Sequence, residues 1–215
     1  MKQSQGIAIP ATLADLADPT RTALLVYDMQ VGICGQVKGG AIVIERCARV
    51  LAAARQAKMR VVFTRHLSNP TTWLGATQLR TAMAWQRTED PDDVKPWFLR
   101  GTPGAEITPE LAPNADDLII DKLSMSAFEG TPLAYALRDC AITGLAIVGI
   151  ALEIGIEPTV RHATDLGFIP IVLTDACGAG NAEAGARALE TMRFVGEAIL
   201  TDSASFNRSL GPQTT

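Results

Sequence analysis

The chain has 215 residues and a formal net charge of −4, with 47% hydrophobic and 20% charged residues. This length and composition suffice for one α/β domain with a large core. The acidic balance, without a Lys or Arg cluster, argues against a nucleic-acid partner, and no apolar run reaches membrane-spanning length. We therefore expect a cytoplasmic protein without a nucleic-acid or membrane partner.

Apolar, strand-like runs alternate with helical patterns along the chain, which is typical of a parallel sheet covered by helices on both faces. The predicted strands are 22–27, 60–64, 118–121, 146–150, 169–174 and 197–200. The sequence therefore predicts a three-layer α/β/α, Rossmann-like domain with a mainly parallel six-stranded sheet over residues 1–215.

Helical spacing of apolar residues predicts the elements between the strands. The predicted helices are 41–58, 132–139, 158–166 and 182–191. The segment 94–114 holds four prolines and is predicted to be a long excursion that could act as a lid. Residues 1–10 and 206–215 are expected to be tails.

Three of the predicted strands lead to residues that could take part in a reaction or leave space for a substrate. The first strand ends at Asp28, the third at Lys122, and the fourth runs into Gly155. Ligands of open parallel sheets bind beyond the carboxyl ends of the strands, so these residues should converge on one crevice. The alternatives are a helix-capping aspartate, a lysine at the rim of the sheet and a glycine that permits a tight turn.

The segments around these residues resemble the isochorismatase-like superfamily. They are Ala-Leu-Leu-Val-Tyr-Asp-Met-Gln at 23–30, Lys-Leu-Ser-Met-Ser-Ala-Phe-Glu-Gly-Thr-Pro-Leu at 122–133, and Val-Gly-Ile-Ala-Leu-Glu-Ile-Gly-Ile-Glu-Pro-Thr-Val-Arg-His-Ala at 148–163. The superfamily joins cysteine amidohydrolases to isochorismatases, which hydrolyse a vinyl ether without a covalent intermediate. Gly155 stands where the amidohydrolases have their cysteine, and isochorismatases are similar in having glycine there.

The resemblance implies roles for residues at the crevice. Asp28 would be the general acid or base, and Lys122 would orient it. The peptide bond between Ile150 and Ala151 would be cis, and the N–H groups of Ala151 and Gly155 would bind a developing oxyanion. No cofactor is implied, and relatives commonly form homodimers or homotetramers.

Candidate substrate-binding residues lie at the strand ends, in the family motifs or after the second strand. They are Gln30, His66, Gln78, Trp85, Arg87, Phe128 and Ala151. Arg87 could bind a carboxylate in bidentate fashion, although an exposed arginine beside acidic residues is the commoner arrangement. Phe128 is expected to be a pocket wall because it belongs to the Ser-Ala-Phe part of the family-like motif, and ordinary core is the alternative.

Neither the histidines nor the cysteines have the spacing of metal ligands, so we expect no metal site. The four cysteines, at positions 34, 47, 140 and 177, are expected to be buried or free thiols. The sequence thus favours hydrolysis of a small organic substrate without a covalent cysteine intermediate. Two alternatives stay open: an amidohydrolase relative whose nucleophile is lost at Gly155, naturally or by engineering, and a nonenzymatic metabolite-binding protein.

Overall fold

A parallel six-stranded sheet forms the centre of the computed structural model, which describes residues 1–211. The strands in chain order are β1 (Lys2–Ser4), β2 (Ile7–Ile9), β3 (Thr22–Tyr27), β4 (Arg60–His66), β5 (Leu118–Lys122), β6 (Gly144–Ile150), β7 (Ile169–Gly178) and β8 (Ile199–Thr201). The central sheet has the order β5-β4-β3-β6-β7-β8, and all its neighbours pair in parallel. All six predicted strands are confirmed.

Helices cover both faces of this sheet, which confirms the predicted three layers. They are α1 (Leu13–Leu16), α2 (Val31–Cys34), α3 (Gly40–Gln56), α4 (Ala76–Gln86), α5 (Leu133–Asp139), α6 (Glu157–Asp165), α7 (Ala182–Val195) and α8 (Ser203–Ser209). Helices α3 and α8 share one apolar core with the sheet, and α5, α6 and α7 share the other. None of these helices, over residues 1–211, is long and apolar enough to cross a membrane.

Strand β3 lies at the middle of the sheet and is buried along its whole length. Its side chains alternate between the two cores because successive residues of a strand point to opposite faces. Leu24 and Val26 pack with α3 on one side, whereas Leu25 and Tyr27 join the core under α5, α6 and α7. This strand therefore fixes the position of the residue that follows it, Asp28.

Helix α4 was not predicted, and the structure shows why. None of its residues is buried, so it carries no apolar stripe of the kind that marks a helix packed on a core.

The chain ends also differ from the predicted tails. Residues 2–9 form the exposed antiparallel hairpin β1-β2. The expected carboxyl-terminal tail from 206 begins inside α8, where Phe206 is fully buried against the core. Burial of this single aromatic ring is worth about 1.5–3 kcal/mol, enough to hold a short helix in place. The last part of that predicted tail, 212–215, lies outside the described residues.

The predicted excursion over 94–114 contains short 3₁₀ turns, including Pro103–Ala105 and Pro109–Leu111. Phe98, Ala105 and Leu111 are buried, so the segment packs against the domain as a wall. Opening of this wall as a lid stays a prediction.

Candidate active site

Asp28 and Lys122 form a buried ion pair at the carboxyl ends of β3 and β5. The Lys122 Nζ donates to the Asp28 Oδ2 at 2.7 Å and to the Ser124 carbonyl oxygen at 3.0 Å. The Lys122 side chain is 0% exposed and that of Asp28 5%. Charges that are this deeply buried need a partner, so the pair has to be treated as one unit. The predicted convergence of the two residues is what the structure shows.

Thr64, near the carboxyl end of β4, is the second side chain that bonds the Asp28 carboxylate. Its hydroxyl donates to the Asp28 Oδ1 at 2.7 Å, and the Asp28 backbone N–H donates to the same hydroxyl oxygen at 3.1 Å. Asp28 itself has a left-handed backbone with φ of 47°. Sequence reasoning missed Thr64 because a threonine inside an apolar strand is an ordinary β-sheet residue.

Tyr27 lies beside the ion pair and is 2% exposed. Its ring centroid is 4.5 Å from the Lys122 Nζ, and its hydroxyl donates to the Met125 carbonyl oxygen. Burial raises the pKa of the Tyr27 hydroxyl well above its usual value, and the negative charge of Asp28 raises it further. Tyr27 therefore stays a neutral hydrogen-bond donor. No role for Tyr27 is predicted from the sequence.

Gly155 faces the Tyr27 ring. A Cβ at this position would overlap the Tyr27 hydroxyl and would lie 2.7 Å from the ring carbon Cε1, whereas real Cβ contacts essentially never fall under 3.0 Å. The φ of Gly155 is not positive, so the backbone itself does not require glycine. What requires glycine here is the adjacent aromatic ring.

The loop before Gly155 has the predicted cis peptide bond between Ile150 and Ala151. The two backbone N–H groups predicted to bind an oxyanion differ in whether they already donate a hydrogen bond within the protein. The Gly155 N–H donates to the Ala151 carbonyl oxygen at 3.0 Å, whereas the Ala151 N–H has no hydrogen-bond partner within residues 1–211. Of the two predicted donors, Ala151 is the one available to a ligand.

A cleft of about 410 Å³, here called the Asp28 cleft, opens above these residues. Six residues singled out from the sequence line it, namely Asp28, His66, Trp85, Arg87, Ala151 and Gly155, and Tyr27 lies beside them. Apolar and aromatic side chains supply much of the rest, including Ile33, Trp97, Phe98 and Met125. Mostly apolar walls with a few polar groups are typical of small-molecule sites.

Gln30 and Phe128 do not line this cleft, so their prediction as substrate contacts is wrong in this structure. Gln30 is fully buried, and its amide bonds the His66 backbone on both sides: the Gln30 Nε2 donates to the His66 oxygen at 3.0 Å and the His66 N–H to the Gln30 Oε1 at 2.6 Å. Phe128 stacks on Phe168 with ring centroids 5.6 Å apart. Gln30 therefore links the ends of two strands, and Phe128 is an ordinary core residue.

Gln78 lines an adjoining cavity of about 330 Å³ instead of the Asp28 cleft. The two cavities share a wall made of His66, Trp85, Trp97, Phe98 and Met125. Trp85, on α4, therefore lies between them. A substrate longer than the Asp28 cleft could reach Gln78 only past this aromatic wall.

Arg87 ends α4 and lies on the rim of the Asp28 cleft. Its guanidinium makes no ion pair or hydrogen bond with any residue among 1–211, and the acidic neighbours considered in the sequence analysis do not engage it. A free guanidinium at a cleft is suited to bind a carboxylate through two parallel hydrogen bonds.

His66 is a partly buried wall residue of both cavities. Burial lowers the pKa of its imidazole below the ordinary 6.5, and the nearby charge of Lys122 lowers it further, while Asp28 and a hydrogen bond to the Ser124 backbone oppose the shift. The ring packs edge-on against Phe98 with centroids 6.2 Å apart. At neutral pH the imidazole is therefore uncharged.

This lowered pKa has a consequence for stability. Below pH 6.5 the unfolded chain binds a proton at His66, whereas the folded protein binds it only at a lower pH. The free energy of unfolding is therefore unaffected by His66 above pH 6.5, and it decreases as the pH falls from 6.5 toward the pKa of His66 in the folded protein. We expect His66→Gln to lose less stability than the wild type between pH 7 and pH 5. Urea unfolding at several pH values measures the difference, and parallel curves for the two proteins would remove His66 as the cause.

None of the four cysteines lines the Asp28 cleft. Cys34, Cys47 and Cys177 are buried, and Cys140 is partly exposed. Burial raises the pKa of the Cys34 thiol to about 11 and that of Cys177 still further. Thiols with such raised pKa values are poor nucleophiles, because the thiolate is the reactive form.

The fold and the site together define a class: a parallel α/β domain with an acid–lysine pair buried under a strand-end cleft. The family model described as the Isochorismatase domain matches residues 22–205, and the chain belongs to this family of hydrolases.

Individual relatives agree with this assignment. The chain is 29% identical to ureidoacrylate amidohydrolase RutB of Methylobacterium radiotolerans, covering 96% of this chain and 86% of the relative. It is 31% identical to a probable inactive nicotinamidase of Arabidopsis thaliana, over 81% of this chain and 89% of the relative. It is also similar to the structure of a cysteine hydrolase from Pseudomonas syringae, with a TM-score of 0.77, 26% identity, and coverage of 89% and 93%.

Proposed function

We propose that the protein hydrolyses a small, carboxylate-bearing organic substrate by direct attack of water, without a covalent cysteine intermediate. The observation that carries this proposal is the composition of the Asp28 cleft. A buried Asp28–Lys122 pair lies beneath it, and position 155 offers no side chain that could attack a substrate. The cysteines of the chain lie elsewhere.

Each group in the cleft has a task in such a reaction. In hydrolysis of a vinyl ether, the protonated form of Asp28 donates its proton to the vinyl carbon, and water attacks the resulting oxocarbenium carbon to form a hemiketal. The attacking water returns a proton to Asp28, and collapse of the hemiketal breaks the ether C–O bond to release a carbonyl compound and an alcohol, so Asp28 ends the cycle as it began. Lys122 and Thr64 hold the carboxylate in place. Proton transfer of this kind contributes about 10²–10⁴-fold, and positioning and electrostatics supply the remainder.

Substrate orientation is assigned to the cleft rim. Arg87 binds the carboxylate of the substrate, and the Ala151 N–H is available to hydrogen-bond a substrate oxygen. The aromatic wall of Trp85 and Trp97 contacts the apolar part.

An amide substrate is the second candidate, because relatives of this chain include an amidohydrolase and a probable inactive nicotinamidase. In that case Asp28 acts as the general base for water. If water attack is too slow for turnover, the protein is an amidohydrolase relative that has lost its nucleophile at position 155 and only binds the amide. Cytoplasmic location, a single domain over the whole chain and a homodimer or homotetramer stay predictions.

A panel of carboxylated enol ethers, ureidoacrylate and nicotinamide tests these proposals. Release of many product molecules per protein from an enol ether, lost in Asp28→Asn, supports ether hydrolysis. Turnover of an amide alone moves the assignment to the second candidate. Saturable binding without turnover across the panel would leave a metabolite-binding protein.

We expect Arg87→Gln to raise KM for a carboxylated substrate by about tenfold, with a smaller change in kcat, because one charge-assisted contact at an exposed rim is lost. The matched control is Arg80→Gln, an exposed arginine of α4 that does not line the Asp28 cleft. Steady-state kinetics of both variants measures the effect. Equal KM values for the two would remove Arg87 from the site.

A further inference from the structure

We propose that Tyr27 is the residue that determines the reaction type: its phenol ring occupies the space of a nucleophilic side chain at position 155 and so restricts the Asp28 cleft to attack by water. The inference rests on the proposed noncovalent hydrolysis and adds its structural cause. Glycine at 155 and tyrosine at 27 are, in this view, one coupled feature of the site.

The first support is the identity of the atoms that crowd position 155. The three heavy atoms nearest to a Cβ there are the Tyr27 hydroxyl oxygen and two carbons of the same ring, and all three lie closer than ordinary contacts allow. The backbone does not demand glycine, since φ of Gly155 is not positive. Removal of the ring should therefore be enough to admit a side chain.

The second support is that Tyr27 cannot easily move away. It extends from the fully buried central strand β3, its hydroxyl donates to the Met125 carbonyl oxygen, and its ring lies against the Lys122 ammonium. A cation over an aromatic face is attracted to it, so the ring also helps to hold Lys122 beside Asp28. A cysteine at 155 would have to displace all of these contacts.

The third support comes from the cleft itself. Tyr27, Asp28 and Gly155 all line it, so the volume in question is part of the substrate site and not of the remote core. A single change at 155 therefore cannot restore a cysteine hydrolase in this chain. The ring has to be removed in the same protein.

A thermal double-mutant cycle tests the coupling without any substrate, so it stays decisive even if the proposed activity is not found. We expect Gly155→Ala to lower Tm by about 5–10 °C in the wild type, because overpacking of a closely packed site costs a few kcal/mol. In the Tyr27→Val background the same change should lower Tm by less than about 2 °C. Tyr27→Leu replaces Tyr27→Val if the latter does not fold, since leucine ends short of the ring Cζ.

Gly75→Ala is the matched control for this cycle. Gly75 precedes α4, its φ is −85°, and a Cβ there meets no atom within 4 Å. Gly75→Ala should change Tm by the same amount in the wild-type protein and in Tyr27→Val. An equal loss for Gly155→Ala with and without Tyr27 would overturn the proposal.

Thiol labelling adds a readout that a purely structural role of Tyr27 would not change. In Tyr27→Val/Gly155→Cys, iodoacetamide should add one carbamidomethyl group beyond the labelling of Tyr27→Val alone, and the label should map to position 155. Gly155→Cys with Tyr27 intact should show no folded, labelled species. Rapid labelling of folded Gly155→Cys would contradict the exclusion of a side chain by Tyr27.

Discussion

Asp28→Asn should lower kcat by at least about 10²–10⁴-fold, because an amide matches the carboxylate in shape but cannot carry a proton through the reaction. The asparagine Oδ1 can still accept from Lys122 while its Nδ2 donates to the Thr64 hydroxyl oxygen, so the cleft should keep its geometry. The change also leaves the buried Lys122 charge without its counter-charge, and we expect a stability loss of about 3–5 kcal/mol.

Steady-state kinetics and urea unfolding separate these two consequences. Asp116→Asn, at an exposed aspartate that does not line the Asp28 cleft, is the matched control and should change neither quantity. A folded Asp28→Asn protein with near-normal kcat would remove Asp28 from the chemistry.

Lys122→Met should produce a loss of comparable size. Methionine retains much of the aliphatic stem, but the Asp28 carboxylate is left buried with Thr64 as its side-chain partner. We expect destabilisation of about 3–5 kcal/mol and a fall in kcat of at least about 100-fold. Lys38→Met, at an exposed lysine outside the Asp28 cleft, is the control.

The double variant Asp28→Asn/Lys122→Met distinguishes a role in stability from a role in the reaction. Because it removes both charges, it should regain a large part of the stability lost in each single variant and regain none of the activity. Lys122→Met that changed only stability, with kcat intact, would make Lys122 a structural residue.

Much of the fold could be predicted because its signals are local. The central strands are short apolar runs, and helices such as α3 carry an apolar stripe at helical spacing. Helix α4 has no buried residue and the β1-β2 hairpin is exposed, so neither leaves a hydrophobic pattern to read. Their positions follow from tertiary context that a local pattern does not contain.

The candidate site divides in the same way. Asp28 and Lys122 could be predicted because each ends an apolar run and lies in a segment that resembles a family motif. The strand pattern alone would favour a helix cap for Asp28 and a rim position for Lys122. The contact of Tyr27 with Gly155 joins residues far apart in the chain, so neither residue alone indicates it. Gln30 was misread because a buried amide that braces backbone groups has the same strand-end position as a ligand-binding one.

Intact-protein mass spectrometry during turnover of an active substrate tests the noncovalent mechanism most directly. We expect only the mass of the unmodified chain at every time point, and we expect a variant in which all four cysteines are replaced by alanine to stay active if it folds. The contradicting result is a substrate-sized adduct that maps to one native cysteine, together with loss of activity when that cysteine alone is replaced.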